Sequence, residues 1–191
     1  MRQLNRNDAL FLASVSAHAN SNVSLIQIYD PSTAPGGRLR FKSVLALVES
    51  RLHRSPIFRQ KLRQVPFGLD DPYWIEDENF DLEYHVRNVA LPRPGDWRQF
   101  CIQTSRIHAR PLDLNRPLWE LYVIEGVDEG RTIAQLTKVH HAAMDGASGS
   151  EITVALFDLS PEVVQHPEPD EPWQPDKVPS EIIPSEPYLL G

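Results

Sequence analysis

A hairpin-like segment in the middle of the chain constrains the fold more than any other feature. The stretches Trp119 to Ile124 and Thr132 to Val139 have the apolar, β-branched character of strands, and an acidic, glycine-bearing connection, Gly126 to Arg131, separates them. This pattern predicts two strands joined by a hairpin turn. The second predicted strand ends in two adjacent histidines, His140 and His141, so the fold has to present this pair at a strand end.

Strand-like and helix-like patterns alternate along the rest of the chain as far as residue 160. Further strands are predicted over 23–29, 73–75 and 86–91, while 58–65 is ambiguous. Helices are predicted in the opening segment from a start signal at Asn7-Asp8, over 41–52, over 97–107 and from Gly146 to Leu159. This mixture, with few long parallel-type crossovers, predicts a layered α/β domain rather than a helical bundle or a β-sandwich.

The composition changes after Ser160. Eight of the 17 prolines lie in residues 161–191, where acidic residues outnumber basic ones and apolar residues are sparse. Such a segment cannot build a core of its own, and it is predicted to be a linker or docking arm.

Charge and cysteine content exclude several classes of protein. A formal net charge of -7 and the lack of a basic stripe with interleaved aromatic residues argue against a nucleic-acid partner. Cys101 is the only cysteine, so no disulfide can form within the chain. No apolar run approaches the ~20 residues that span a bilayer, and the start lacks the order of a signal peptide. We therefore expect a cytoplasmic location, with any membrane contact peripheral.

The chemistry of the histidine pair follows from strand geometry. Successive side chains of a strand point to opposite faces, so His140 and His141 are not expected to bind one metal ion. The chain also lacks the His-x-x-x-His or Cys-x-x-Cys spacing of a zinc site, and no metal is predicted. Asp145, just before Gly146, is spaced so that a tight turn can bring its carboxylate under the His141 ring or onto local backbone donors. One reactive base with one orienting acid is the simplest interpretation.

Three segments, in this order along the chain, carry a resemblance to a known family. The segment from Phe80 to Gly95, the Pro117-Leu118-Trp119 triplet and the HHAAMDG stretch over 140–146 are similar to segments of the bacterial wax ester synthase/diacylglycerol acyltransferase family. The last of these resembles the HHxxxDG motif of the wider chloramphenicol-acetyltransferase-like superfamily. The start follows the family less closely, since Asn20 to Val23 replaces its usual Pro-Met-His-type segment. The resemblance covers nearly the whole chain.

The resemblance implies a fold and an activity. The fold is a two-layer chloramphenicol-acetyltransferase-like α/β domain with a mixed sheet over 1–160, followed by a proline-rich linker over 161–191 that leads to a C-terminal half. That half is on the same precursor or on a second chain. The activity is transfer of an acyl group from acyl-CoA, a substrate rather than a cofactor, to diacylglycerol or a long-chain alcohol. Activity is expected to need both halves, and contact with the inner membrane or lipid droplets is a further expectation.

The resemblance also assigns roles to individual residues. His141 is the expected general base, because a neutral imidazole with an ordinary pKa of ~6.5 can accept the hydroxyl proton of the acceptor near neutral pH. His140 is expected to support the strand end, Asp145 to anchor the loop by pairing with an arginine, and Gly146 to allow a tight turn. The triplet Pro117 to Trp119 is expected to pack at the domain centre.

Two alternatives stay open at this stage. One is a condensation-type acyltransferase that uses the same histidine on a carrier-bound or other acyl donor. The other is a non-catalytic half that serves assembly through its proline-rich arm.

Overall fold

A four-stranded mixed sheet carries the hairpin at its centre. The computed structural model describes residues 2–13, 20–144 and 149–158. The strands are β1 (Arg2–Gln3), β2 (Asn22–Tyr29), β3 (Gln60–Arg63), β4 (Tyr73–Glu76), β5 (Val86–Ala90), β6 (Trp119–Val127) and β7 (Thr132–His140). The helices are α1 (Arg6–Ala13), α2 (Phe41–Arg51), α3 (Leu82–His85), α4 (Trp97–Ala109) and α5 (Gly149–Leu156). Within these ranges, no helix is both long and apolar enough to cross a bilayer.

The strand order of the main sheet is β2-β7-β6-β5. The β6–β7 hairpin and the β2–β7 pair are antiparallel, whereas β5 runs parallel to β6. A parallel pair needs a crossover, and α4 provides it between β5 and β6. Strand β7 therefore has a neighbour on each side, and both neighbours reach as far as the histidine pair.

Helices cover both faces of this sheet, because alternate residues of β6 point to opposite sides. Trp119, Leu121 and Val123 pack against apolar side chains of α2 and α5. Tyr122 and Ile124, with residues of β7, pack against α4. The near-continuous apolar sequence of β6 is the expected pattern for a strand that is buried on both faces.

A smaller antiparallel sheet, with strand order β1-β4-β3, lies beside helix α1. Its buried residues Leu4, Leu62 and Trp74 cluster with Leu118, the residue just before β6. Two residues of α1 and one from the turn after β7 pack on this cluster: Ala9, Leu12 and Ala143. The N-terminal helix is thereby held against the end of the main sheet where the histidines lie.

The predicted α/β class with a mixed sheet is confirmed, and three local predictions change. Helix α1 begins at Arg6 rather than at Asn7-Asp8, because the Asn5 side chain accepts a hydrogen bond from the Asn7 N–H at 3.0 Å and caps the helix. The ambiguous stretch 58–65 forms strand β3. Arg51 belongs to a cluster of basic residues that the sequence predicts to be a solvated face, but it is 6% exposed, and its guanidinium donates to the Leu156 carbonyl at the end of α5.

Several predictions fall outside the described residues. They are Asp145, the first residues of the fourth predicted helix (146–148, including Gly146), its last residue Leu159 and the predicted linker over 161–191.

Glycine at position 95 is required by close packing against the hairpin. Gly95 has a φ of +74°, and a Cβ there would lie 1.8 Å from the carbonyl oxygen of Gly126. We expect Gly95→Ala to lower the free energy of unfolding by about 3 kcal/mol, because it adds a clash to the strain of a positive φ. Gly130 is the matched control: its φ is +86°, and no atom lies within 4 Å of the place that a Cβ would take. Gly130→Ala should cost only about 1 kcal/mol. Denaturant unfolding measures both, and equal losses would contradict the packing argument.

Candidate active site

The two histidines lie where β7 ends and are held by opposite neighbours. The His140 N–H donates to the Leu118 carbonyl at 3.0 Å, whereas the His141 N–H donates to the Ser21 carbonyl at 2.7 Å. His141 then begins a short 3-10 turn, His141–Ala143, which is closed by a hydrogen bond from the Met144 N–H to the His141 carbonyl at 2.9 Å. The two side chains therefore enter different surroundings.

The His140 ring is buried and caps this turn. Its Nδ1 accepts a hydrogen bond from the Ala142 N–H at 3.1 Å, so the neutral ring carries its proton on Nε2. Burial first, and then the charge of neighbouring His141, lowers the pKa of His140 to about 4. His140 is therefore neutral near pH 7, and its Nε2 has no hydrogen-bond partner within the described part of the chain. This residue shapes the turn that carries His141.

The His141 ring is half-buried and lies against α1. It stacks on the Phe11 ring with a centroid distance of 3.7 Å and an interplanar angle of 22°. Its Nδ1 is buried, and no residue of the described ranges bonds to it. Nε2 is therefore the ring nitrogen that can meet an incoming hydroxyl. A neutral imidazole with one accessible nitrogen can act as a general base.

The Pro117-Leu118-Trp119 triplet connects the histidines to the core. Leu118 and Trp119 have 0% exposure, and Trp119 lies opposite Val139 in the β6–β7 pair. The Trp119 indole N–H donates to the Phe58 carbonyl at 3.1 Å, which satisfies its only polar side-chain group. Any displacement of this triplet would move the Leu118 carbonyl that holds His140.

His85, at the end of α3, is fully buried. Its Nδ1 donates to the Trp119 carbonyl at 2.7 Å, and its ring stacks between Phe80 and Trp119 with centroid distances of 5.1 and 4.8 Å. Burial lowers the pKa of His85, so the neutral form is favoured. His85 therefore supports the backbone of the triplet from the β5 side of β6, whereas the histidine pair lies on the β7 side.

A buried ion pair lies two residues before His140, on the same face of β7. Lys138 has 0% exposure, and its Nζ lies 2.8 Å from Oε2 of Glu120, the residue opposite it on β6. The same Nζ donates to the carbonyls of Ile107 and Arg110 at the end of α4, at 3.2 and 3.1 Å. The Tyr122 hydroxyl donates to Glu120 at 3.0 Å, and burial with the nearby carboxylate raises its pKa to about 12. This network fixes α4 to the end of the sheet that carries the site.

The start of β2 and the residues just before it are tied to the same end of α4. The side-chain amides of Asn20 and Asn22 donate to the carbonyls of Ala109 and Arg110 at 2.9 and 3.0 Å. These bonds satisfy carbonyl groups that a helix end leaves without partners. Ser21, whose carbonyl receives the His141 N–H, is therefore held on both sides.

A cleft of about 160 Å³ adjoins the turn after β7. Most of its lining is polar or small: Arg2, Gln3, Leu4, Asn5, Asp8, Trp74, Ala142 and Ala143. Its polar character suits a polar group better than an alkyl chain. In the described part of the chain, no three His, Cys, Asp or Glu side chains are grouped so that they could hold a metal ion.

The structure brings four of the sequence-predicted residues together: His140, His141, Leu118 and Trp119. Asp145 and Gly146 lie outside the described residues, and Cys101 is exposed on α4. Sequence reasoning missed Phe11 and Ser21, which contact His141 from the N-terminal segment. The only signal in the sequence at this place was that Asn20 to Val23 differ from the segment that the resemblance leads one to expect.

Comparison with known proteins supplies the family. A profile of the wax ester synthase/diacylglycerol acyltransferase catalytic domain matches residues 4–186. A putative diacylglycerol O-acyltransferase of Mycobacterium tuberculosis is 39% identical over 180 residues, which are 94% of this chain and 37% of the relative. A second M. tuberculosis protein, the probable diacylglycerol O-acyltransferase tgs3, is 37% identical over 93% of this chain and 63% of its own length.

Solved structures agree with this result. The wax ester synthase/diacylglycerol acyltransferase from Marinobacter aquaeolei VT8 matches with a TM-score of 0.63 at 34% identity, over 79% of this chain and 37% of that protein. The starter condensation domain of rhizomide synthetase RzmA matches with a TM-score of 0.59 at 13% identity, over 81% of this chain and 37% of that domain's chain. The second likeness shows the fold alone. The chain thus spans little more than a third of several proteins that it matches.

The environment of His140 predicts a pH dependence of stability. Its pKa is about 4 in the folded protein and close to 6.5 when unfolded, so the unfolded state binds more protons between these values. The contribution of neutral, buried His140 to the free energy of unfolding is therefore fully present above the unfolded pKa. It is lost as the pH falls, by about 2 kcal/mol between about pH 7 and pH 5. Burial of His85 acts in the same direction.

The variant His140→Asn tests this assignment. Its amide oxygen can still accept the Ala142 N–H and cap the turn, but it cannot be protonated in this range. Denaturant unfolding of the variant should show a flatter pH dependence than that of the unaltered chain. An unchanged slope would assign the acid sensitivity to other groups.

Proposed function

Since this chain belongs to the wax ester synthase/diacylglycerol acyltransferase family, we propose that it is the histidine-bearing half of an enzyme that transfers an acyl group from acyl-CoA to diacylglycerol or a long-chain alcohol. The observation that carries the proposal is the placement of His141. Its Nδ1 is buried, its backbone is bonded to Ser21, and its ring is stacked on Phe11. One basic nitrogen is thereby held in a defined direction.

The proposed reaction uses this nitrogen as a general base. Nε2 of His141 accepts the hydroxyl proton of the acceptor while the hydroxyl oxygen attacks the thioester carbonyl. A carbon–oxygen bond forms, the carbon–sulfur bond then breaks, and the proton passes from the imidazolium to the departing CoA thiolate. The products are an ester and free CoA, and His141 is neutral again. No acyl group is attached to the protein at any step.

His140 has a supporting part in this proposal. It is neutral near pH 7 and buried, so it does not compete for the proton of the acceptor. Its bond to the Ala142 N–H shapes the turn on which His141 sits. For Asp145 and Gly146 the proposal keeps the roles of loop anchor and tight turn.

A second half of the enzyme is part of the proposal, because the chain spans only 37% of a relative in M. tuberculosis. Edge strand β2 supports this idea. Four of its apolar side chains are 39–48% exposed: Val23, Leu25, Ile26 and Ile28. An exposed apolar edge strand is a surface for association with another chain or domain. The strand begins at Asn22, directly opposite His140, so a partner on this edge would reach the site.

Location follows from the proposed substrates. Diacylglycerol and long-chain alcohols partition into lipid, so a cytoplasmic enzyme that uses them has to meet a membrane or lipid-droplet surface. We therefore include peripheral contact with the inner membrane or with lipid droplets in the proposal.

Replacement of His141 tests the mechanism. We expect His141→Ala to lower kcat about 100-fold or more, since a positioned general base contributes at least that much. The assay is acyl-CoA-dependent ester formation by residues 1–191 co-expressed with a polypeptide that matches the remaining length of the relatives. His53→Ala is the control, because His53 is exposed and lies in a turn after α2. Full activity in the His141 variant would disprove the assignment.

Replacement of an edge-strand residue tests the second half. Ile26→Lys should weaken binding of the C-terminal polypeptide about tenfold or more, because it places a charge in an apolar contact. Leu47→Lys on α2 is the matched control, since Leu47 is 41% exposed and Ile26 is 43% exposed. Binding is measured by titration of the purified halves. Equal binding by both variants would remove β2 from the interface.

A further inference from the structure

The Phe11 ring stacks face to face on the His141 imidazole. The centroids of the two rings are 3.7 Å apart and their planes differ by 22°, so the faces lie nearly parallel. A flat contact of this kind restricts rotation of the imidazole about the bond to its Cβ, since a turned ring would collide with the phenyl face. The rings therefore favour one orientation of the imidazole over others.

Ser21 connects the two partners of this stack. Its carbonyl accepts the His141 N–H at 2.7 Å, and its hydroxyl donates to the Phe11 carbonyl at 3.1 Å. One residue thus holds the backbone of His141 and the backbone of the residue on which the imidazole rests. The spacing between the two rings is therefore fixed through hydrogen bonds as well as through packing.

Packing and a helix cap fix the position of α1 relative to the main sheet. Ala9 and Leu12 pack on the cluster that contains Leu118, and the Asn5 side chain caps the helix start. Leu118 also holds the His140 N–H through its carbonyl. The position of the Phe11 ring is therefore set by the same packed residues that set the end of β7.

We propose that Phe11 and Ser21 are positioning residues for His141, which hold its imidazole in the orientation needed for proton transfer. This inference rests on the proposed function of His141 as the base. A hydrogen bond to Nδ1 commonly orients a catalytic histidine. Within the described ranges, the contacts that hold the His141 imidazole are the face of the Phe11 ring and the backbone bond to Ser21. A misplacement of a reacting group by about 1 Å can cost 100-fold in rate.

Substitutions of Phe11 separate ring stacking from general packing. Phe11→Leu keeps an apolar side chain and removes the aromatic face; we expect kcat to fall about tenfold or more, with KM for acyl-CoA and for the acceptor unchanged. Phe11→Tyr keeps the ring and should retain most of kcat. Ser21→Ala keeps the carbonyl bond and loses the hydroxyl bond, so a smaller fall is expected. Leu10→Ala, at a neighbouring residue of α1 that is 65% exposed, should leave kcat unchanged.

A nuclear magnetic resonance measurement tests the geometry without reference to activity. Protons of an imidazole stacked on a phenyl face are shifted upfield by its ring current. The ring signals of His141, assigned by their loss in His141→Gln, should move downfield in Phe11→Leu and stay in place in Phe11→Tyr and Leu10→Ala. The sample is residues 1–191 in complex with the C-terminal polypeptide.

The two measurements distinguish the failure of this inference from the failure of the proposed function. Full kcat in Phe11→Leu, or His141 ring signals that do not respond to it, would overturn the positioning role. Absence of acyltransferase activity in the unaltered complex would overturn the function, while the ring signals would still decide whether the stack holds His141. Should Phe11→Leu fail to fold, Ser21→Ala decides: unchanged kcat together with unchanged ring signals would overturn the proposal.

Discussion

The central position of β7 in the sheet is the constraint on which the site depends. Because β7 pairs with a strand on each side, its last residues give their N–H groups to opposite neighbours, first to Leu118 and then to Ser21. The pleat turns adjacent side chains to opposite faces, so one imidazole enters the core and the other meets α1. Two identical residues thereby acquire different surroundings: the His140 ring is a buried, neutral cap of the turn, and the half-buried His141 ring stacks on Phe11.

Buried polar groups near His140 and His141 fix the positions of the elements that meet at this end of the sheet. The Lys138–Glu120 pair is buried, and such pairs contribute little net stability because both ions lose their hydration. Lys138 also binds the carbonyls of Ile107 and Arg110 at the end of α4. Asn22 shares the Arg110 carbonyl, and Asn20 binds that of Ala109. These hydrogen bonds restrict how three elements can be arranged: the last turn of α4, the start of β2 and the end of β7. Any arrangement that breaks one of the bonds leaves a polar group without its partner.

Local patterns in the sequence predicted much of this domain and left out the contacts between distant segments. The hairpin, the helices after Phe41 and Trp97 and the unequal environments of the histidines follow from period and turn chemistry, which are local properties. Ser21 could not be found in this way, because it holds His141 through a carbonyl that every residue possesses. Arg51 was misplaced for a related reason: a charged residue on an amphipathic helix predicts a solvated face, and only the fold brings the end of α5 to it.

The bond between His141 and Ser21 uses a backbone carbonyl, so it does not require a particular residue type at position 21. A side chain that bonded His141 would restrict the residue type at this position, whereas a backbone bond requires only that the chain pass at the right distance from β7. That distance is set by β2 pairing and by the amides of Asn20 and Asn22 on α4. The support of the proposed base is thus contained in this chain, while the exposed apolar edge of β2 faces outward beside it. Strand β2 therefore has two tasks: its pairing with β7 fixes the backbone that holds the proposed base, and its exposed apolar side chains offer a surface to the proposed second half. A substitution on its exposed side chains that preserves the pairing can change the second task without changing the first.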